Sequence, residues 1–466
     1  MTDSPITGPG SIVCIVLLAI VLLLRLIRFV INQVGSCKYH PTVLRQRPAV
    51  LDSNCSVILP ITRPEDRSLG RRIRSILKNH PAHLYLVTIG TEAQGQVNAQ
   101  LERLRSDFAL VTQISVGAVN KANKRRMIAH ALNTIETPVT VVTDQGVHWP
   151  KGFLHSALAP FDDPAVSAVA VPKIVRKPAN CFYALWACLV SCYYGLLADE
   201  NQAINALDSS VLFGGSTVLL RTYHGADPKF RAEFESKASS YSREGVLHGD
   251  EHCFFNCYFL QEGGAVVFQD VPHTTVQVNL PTLCGFIREY IRTTHSNWRL
   301  SGSMFHHKSW KKFPWACYNT WLSSVFSYAL INDALIIALA YYNNSLSQAM
   351  YFWIDIGAFV LLFQMVMALD VALRVRDRGG KYGFFTIFLC VLLSFPAQYI
   401  LDFLKVIAGL TCWLTETHVR IPADPEQVVS ETEEPAWIWG STQMMGSPRA
   451  SEFEPETPTD TRFSIE

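Results

Sequence analysis

The sequence predicts an α/β domain inserted between an N-terminal transmembrane helix and a C-terminal multi-helix transmembrane region. Three observations predict it. An uncharged apolar run, SIVCIVLLAIVLLL, occupies positions 11–24. Apolar runs of comparable length return only after residue 315. Between them, over roughly residues 50 to 300, short β-branched runs alternate with helix-like segments. A chain of 466 residues, 49% of them hydrophobic, is long enough for at least two substantial folding units. The net charge of +1 argues neither for nor against nucleic acid, and no other feature names a nucleic-acid partner.

Residues 1–10 form a short tail and 11–34 the first span. The apolar character continues past Arg25 and Arg28 through LIRFVINQV, which reaches the roughly 20 residues that cross a bilayer as a helix. The two arginines belong near the end of the span, where they can snorkel. With Lys38 and Arg45 they put the downstream side in the cytoplasm. A secretory signal is the competing reading, but MTDSPITGPG holds no Lys or Arg and no small-residue cleavage site follows.

The soluble-looking part, residues 50–284, opens with CSVILPI (55–61), an unbroken β-branched run of the kind that fills a parallel sheet covered on both faces. RSLGRRIRSILKN suits a helix and LYLVTIG (84–90) a strand. QLERLRSDF and KANKRRMIAHALNT read as helices, PVTVVTD (138–144) and AVSAVAVPKI (165–174) as strands. YALWACLVSCYYGLL (183–197) is too short to span and is assigned to a helix packed in the domain or on the membrane surface. Alternating strands and helices give an α/β sheet, which binds ligands at the C-terminal ends of its strands. Asp144 stands at such an end.

Four features here carry chemistry. Asp144 either anchors a ligand or starts a turn. LFGGSTVLLR (212–221) sets two glycines and a serine in an apolar run, which admits a closely approaching ligand or forms a bulge or tight corner. HGDEHCFFN (248–256) offers two adjacent acids. They are a candidate general base or acids favouring a helix N-terminus. GFIREYIRTTHSNWRLS (285–301) brings three arginines, a histidine and a tryptophan, as an interfacial amphipathic helix or as cations for a diphosphate leaving group. Residues 285–313 are read as interfacial helices. His306 and His307, with Lys308 and Lys311, suit lipid headgroups better than a metal.

The region 314–414 holds three to four spans: 316–342, 350–369, 384–401, and DFLKVIAGLTCWL beyond Leu401 as a last span, a re-entrant piece or an interfacial helix. Asn343-Asn344-Ser345 is a glycosylation acceptor pattern at Asn343, in the loop after the first of these. The next loop, RVRDRGGKYG, is basic and belongs in the cytoplasm. Residues 421–466 carry ten acids against two arginines and read as a disordered acidic tail, with a WIW patch as a candidate docking site. The twelve cysteines are scattered, several in apolar runs (Cys14, Cys188, Cys390). On a cytoplasmic domain, mostly buried free thiols are expected.

The order of these features resembles the processive membrane glycosyltransferases of family 2: hyaluronan, cellulose and chitin synthases, and above all the fungal capsule-polysaccharide-like synthases, with a single N-terminal span and WP after the acidic motif. The resemblance covers about residues 50–420. It implies a GT-A-like (Rossmann-like) cytoplasmic domain, a UDP-sugar donor, a polysaccharide acceptor, Mg2+ or Mn2+, and a plasma-membrane site from which polymer is exported through the bilayer. Carried over by position, Pro60, Thr62 and Glu65 fall in the nucleotide-binding region, and Lys121 and Lys124 match the basic residues ahead of the central acid motif. By the same resemblance Asp144 is expected to be the metal and diphosphate anchor. Phe213, Gly215 and Ser216 match the acceptor-side Phe-x-Gly-Ser segment, and Asp250 and Glu251 the acidic pair, with Glu251 as base. Arg292 is what remains of Gln-x-x-Arg-Trp, and Trp298-Arg299 matches a downstream Trp-Arg. Gln145, Gly146, Thr293 and the VTIGTE end of the second strand depart from the pattern. These departures leave two functional readings: an inverting glycosyltransferase, or a catalytically weakened relative that binds nucleotide sugar or polymer and supports another synthase. A transporter or scaffold without sugar chemistry is a third.

Overall fold

The computed structural model describes residues 9–45, 48–108, 111–120, 123–178, 183–211, 215–228, 264–306, 309–318, 350–411 and 438–440. It also describes single positions at 180, 230–231, 234, 255, 258–259, 334–335 and 338. The described residues begin with a 30-residue helix, α1 (Pro9–Lys38). A parallel core follows: β1 (Cys55–Pro60), α2 (Leu69–Leu77), β2 (His83–Ile89), α3 (Gly90–Phe108), β3 (Gln113–Val119), α4 (Lys124–Leu132) and β4 (Val139–Thr143). β1 lies between β2 and β4, with Val57 opposite Leu84 on one side and Val141 on the other. All six of its residues are buried. Alternation sends Val57 and Leu59 to the face packed by α2 and α3, and Ile58 to the face packed by α4 and a cluster of phenylalanines. Two covered faces are why the run carries no charge and only one small polar side chain, Ser56, itself buried.

After β4 come β5 (Val147–His148), α5 (Phe153–Ala157), β6 (Val166–Ala170), β7 (Lys173–Val175), α6 (Ala184–Asp208), β8 (Thr217–Arg221), α7 (Thr222–Ala226), β9 (Ala265–Phe268) and β10 (Val276–Val278). With a last short strand, β11 (Ile438–Gly440), the main sheet has the order β11-β3-β2-β1-β4-β8-β6-β9, and β8 is antiparallel to both its neighbours. A small second sheet, β5-β10-β7, has β10 parallel to β7 and antiparallel to β5. The single strand expected over 165–174 is thus two strands in two sheets. Pro172 stands between them, and a residue without an N–H cannot continue a ladder. β3 was not foreseen, because QISVGAV offers only three β-branched residues among Gln, Ser, Gly and Ala.

Among the described residues four more helices follow: α8 (Leu283–His306), α9 (Ser309–Lys312), α10 (Met350–Asp377) and α11 (Phe384–Thr411). α6 continues well past the apolar run, to Asp208, and packs against α1, α10 and α11, while α8 packs against α11. A separate apolar cluster with Tyr194, Phe286, Val375 and Cys390 joins α6, α8, α10 and α11. Residues 402–411 continue α11 and do not start a new element. Asp402 is buried and accepts from Gln398 Nε2 at 3.1 Å, one turn earlier, so its charge does not interrupt the helix. Among the described residues one helix, α11, is long and apolar enough to cross a membrane by length and composition. The expected span at 316–342 lies almost wholly outside the described residues. Of the acidic tail, β11 (Ile438–Gly440) is described; it pairs antiparallel with β3, Trp439 opposite Gly117.

Candidate functional site

The site forms where β4 ends and β8 begins, beside α4, α6 and α8. Asp144 follows the last residue of β4, and its N–H donates to Ser216 O at 2.9 Å, tying that strand end to the approach to β8. Thr143 and Thr217 pair through their hydroxyls at 2.8 Å one step further in. Lys124 is the first residue of α4. Asn123 caps that helix by accepting from Arg125 N and Arg126 N, the N-cap bond that satisfies otherwise orphaned donors. The cap holds Lys124 so that its Nζ reaches Asp144 Oδ1 at 2.6 Å.

Gln145 points elsewhere. Its Oε1 accepts from Thr62 N and Arg63 N, both at 3.1 Å, and its Nε2 donates to Arg63 O. The Gln145 carbonyl accepts from Arg72 Nη1 at 2.9 Å, and the same nitrogen donates to Asp66 Oδ2 at 2.8 Å. Burial works to raise the Asp66 carboxyl. Hydrogen bonds from Ser68 and the Arg72 guanidinium outweigh it and hold the group below its ordinary value. The loop after β1, which carries Thr62 and Glu65, is therefore clamped to the loop after β4.

A cleft open to solvent lies between these parts. Lys124, Asp144, Gly215 and Ser216 line its sheet side; Lys173, Tyr193, Tyr194 and Leu197 line another wall. Phe286, Glu289, Tyr290, Arg292 and Thr293 come from α8. Lys173 Nζ lies 3.3 Å from Glu289 Oε1 and 4.3 Å from the centre of the Tyr194 ring. Tyr193 meets Phe286 edge-on at 5.4 Å and Tyr290 at 5.5 Å, favourable geometries for aromatic pairs. Burial first, then the nearby Tyr290 hydroxyl, raises the Tyr193 hydroxyl well above its ordinary value, so it stays protonated. Three cationic side chains against two carboxylates, beside an aromatic wall, suit a polyanionic group attached to a ring-bearing ligand.

Of the residues singled out in the sequence, Lys124, Asp144, Gly215, Ser216 and Arg292 come together on this cleft. Pro60 is buried at the end of β1, and Thr62 and Glu65 are exposed on the clamped loop. Trp298 does not line the cleft: a Cβ on Gly409 of α11 would sit 3.4 Å from its indole ring. Arg299 lies on α8. Lys121, Phe213, Asp250, Glu251 and Asn343 lie outside the described residues. A Cβ on Gly215 would sit 2.8 Å from Val171 O, so this glycine serves a close crossing of two backbones, the tight-corner alternative. Lys173, Tyr193, Tyr194 and Glu289 were not foreseen as site residues. A helical signal existed: Phe286, Glu289, Tyr290 and Thr293 recur at three- and four-residue steps and share one face of α8.

No family model matches the chain. It is 23% identical over 326 residues to a type 2 glycosyltransferase of Gibberella zeae, a match covering 69% of this chain and only 60% of that relative's length. Type 2 glycosyltransferases of Zymoseptoria tritici and Pyricularia oryzae are 24% and 22% identical, over 80% and 86% of this chain and 77% and 81% of theirs. Among solved structures, the mannosyltransferase PcManGT from Pyrobaculum calidifontis, in complex with GDP-Man and Mn2+, superposes with a TM-score of 0.51 at 14% identity, covering 86% of this chain and all of that one. Sequence relatives and fold together support a family 2 glycosyltransferase relationship for this chain, carried on a GT-A-like mixed α/β sheet.

Proposed function

We propose that the protein is a membrane-anchored inverting glycosyltransferase that moves a sugar from a UDP-sugar to a growing polysaccharide and passes the polymer across the bilayer. One observation carries the reading: Asp144 at a strand end, Gly215 and Ser216 before β8, and Arg292 on α8, far apart in the chain, line one cleft. Lys124, Lys173 and Arg292 supply positive charge for the diphosphate. Tyr193, Tyr194 and Tyr290 supply flat surfaces of the kind sugars stack on. The solved structure similar in fold is a complex with GDP-Man and Mn2+, which is consistent with a nucleotide-sugar donor and a divalent ion here.

In the proposed reaction the acceptor hydroxyl oxygen bonds to the sugar anomeric carbon from the face opposite the diphosphate. The bond from that carbon to the diphosphate oxygen breaks, and its electron pair leaves with the phosphate. The hydroxyl proton passes to a carboxylate, assigned to Glu251 with Asp250 beside it. Asp144 offers one hard oxygen ligand to the cleft, which suffices for a divalent ion that takes its other ligands from phosphate oxygens and water, and the Lys124 ammonium, 2.6 Å from Oδ1, would have to yield that oxygen to the ion. When bound, Mg2+ or Mn2+ neutralises diphosphate charge. Lys124 and Arg292 are assigned to the same charge from the protein side. Thr62, held by Gln145, frames the nucleotide region. Anchoring in a bilayer is supported by the apolar residues that α1, α10 and α11 leave exposed, among them Leu23, Leu362 and Phe403.

The test is transfer by the purified full chain in detergent from labelled UDP-sugars, with either ion. Glu251→Gln should abolish turnover while UDP binding persists, and Asp144→Asn should lower turnover by about a hundredfold or more. Unchanged turnover in both variants sinks the assignment. The departure at Gln145, which is occupied by the loop clamp, favours a second reading: a relative that binds nucleotide sugar and supports another synthase. Wild-type protein that binds UDP-sugar yet transfers nothing, to water or to oligosaccharide, selects it.

A further inference from the structure

Away from the cleft, α6 and α11 meet at three thiols. Cys188 and Cys192 are four residues apart on α6 and so share one helix face, and α11 brings Cys390 against them. The three Sγ atoms lie within 4.8 Å of one another, with Cys192 and Cys390 3.7 Å apart. Cys188 and Cys390 are both 1% exposed. The nearby hydroxyls are already committed: Ser191 pairs with Tyr382 at 2.9 Å, and Tyr382 reaches Ala187 O at 3.1 Å. The donor set at this point is therefore sulfur alone. Among the described residues no other three His, Cys, Asp or Glu side chains converge in this way.

We propose that Cys188, Cys192 and Cys390 form a structural site for a thiophilic d10 metal ion that bolts the α/β domain to α11. Metal–thiolate bonds of about 2.3 Å set sulfur–sulfur separations of about 3.8 to 4.0 Å, and the Cys192–Cys390 pair stands at that spacing without rearrangement. Sulfur-only ligands select cuprous copper or zinc over hard cations. Zinc in structural sites is tetrahedral and takes four ligands, so a three-sulfur set favours the cuprous ion. Binding releases the thiol protons to solvent. The linear sequence hides the site: a Cys-x3-Cys step on a helix and a partner 198 residues later match no metal-binding spacing.

The experiment uses the full chain in detergent, purified without chelator and with any polyhistidine tag removed. Metal content is read by mass spectrometry, and release by a mercurial thiol reagent with a colorimetric metal indicator. The expected result is about one copper or zinc per chain, the analysis naming which. Copper-free protein should withdraw cuprous ion from its bicinchoninate complex. Cys390→Ala and Cys192→Ser should each lose the metal, while Cys37→Ser, on the exposed end of α1, should retain it. Should the variants not fold, the wild-type measurements decide alone. Two results overturn the proposal: wild-type protein that neither carries nor withdraws the ion, or a Cys192–Cys390 disulfide in protein alkylated at lysis. Glycosyl transfer is not a readout, so the outcome is independent of the proposed enzymatic function.

Discussion

At the scale of single residues, Gln145 shows how one side chain can exchange one task for another. An acid at this position would face two backbone N–H groups it can accept from and one carbonyl it cannot donate to. An amide satisfies all three, as Gln145 does with Thr62 and Arg63. Gln145→Ala should therefore loosen the loop after β1 and raise the donor KM by about tenfold, near 1.4 kcal/mol, with kcat changed little; isothermal titration with UDP checks it. His148, in the same motif, gives a pH prediction. Burial, and then Arg176, Arg72 and Arg71, push it from 6.5 down to about 4. The folded chain therefore binds fewer protons than the unfolded chain between those values, so His148 contributes stability that is full above 6.5 and is lost as pH falls through that window. Subtracting the melting curve of His148→Gln from wild type at each pH isolates this loss; a difference that stays flat from pH 7 to 4 would refute it.

Among elements, the helices around α6 depend on close approach. A Cβ on Gly195 would lie 2.7 Å from Val375 Cγ2 and 3.2 Å from Val371 Cγ1, and one on Gly35 would lie 2.8 Å from Ala203 Cα. Small residues on facing helices let backbones come this near, in membranes as in soluble cores. Gly195→Leu should force α10 off α6 and destabilise the fold by about 1 to 3 kcal/mol or more, read as a lower melting temperature. Gly95 in α3 is the opposite case, since a Cβ there meets nothing within 4 Å. Gly95→Ala should stabilise by about 1 kcal/mol, the helix-propensity difference. Thermal unfolding of the two variants side by side tests both signs.

The whole molecule is held across its parts by a buried ionic knot. Arg378, just after α10, lies 2.7 Å from Asp199 of α6 and 2.7 Å from Asp270 beyond β9. Gln202 donates to Asp270, and Tyr39, at the end of α1, accepts from the Asp270 N–H at 2.8 Å. Burial works to lower the Arg378 pKa; the two carboxylates outweigh it and hold the group charged. Burial raises Asp199, against Arg378 and Arg374. Arg378→Met would remove the cation that Asp199 and Asp270 share and leave Asp199 only the more distant Arg374 at 3.8 Å, a loss of about 3 to 5 kcal/mol. Adding Asp199→Asn and Asp270→Asn should recover part of it, measured as melting temperatures in detergent. No gain in the triple variant would mean that the knot does not act through charge.

Much of this was readable along the chain because the governing physics is local. β-branched runs covered on both faces gave β1, β2 and β4, helical periodicity gave α2, α4 and α6, and a strand-ending acid marked Asp144. Arg292 and Gly215 were read as site residues through a family resemblance. What sequence could not show was partnership. Lys173 became a site residue because Pro172 sends its strand into the second sheet and Glu289 arrives from α8. Gly215 proved to serve a backbone crossing with Val171, and Trp298 to rest on Gly409. The α/β architecture follows from hydrophobic patterning, which each segment carries within itself; the cleft, the thiol cluster and the Arg378 knot depend on which distant side chains meet, and only the packing of α6 against its neighbours decides that.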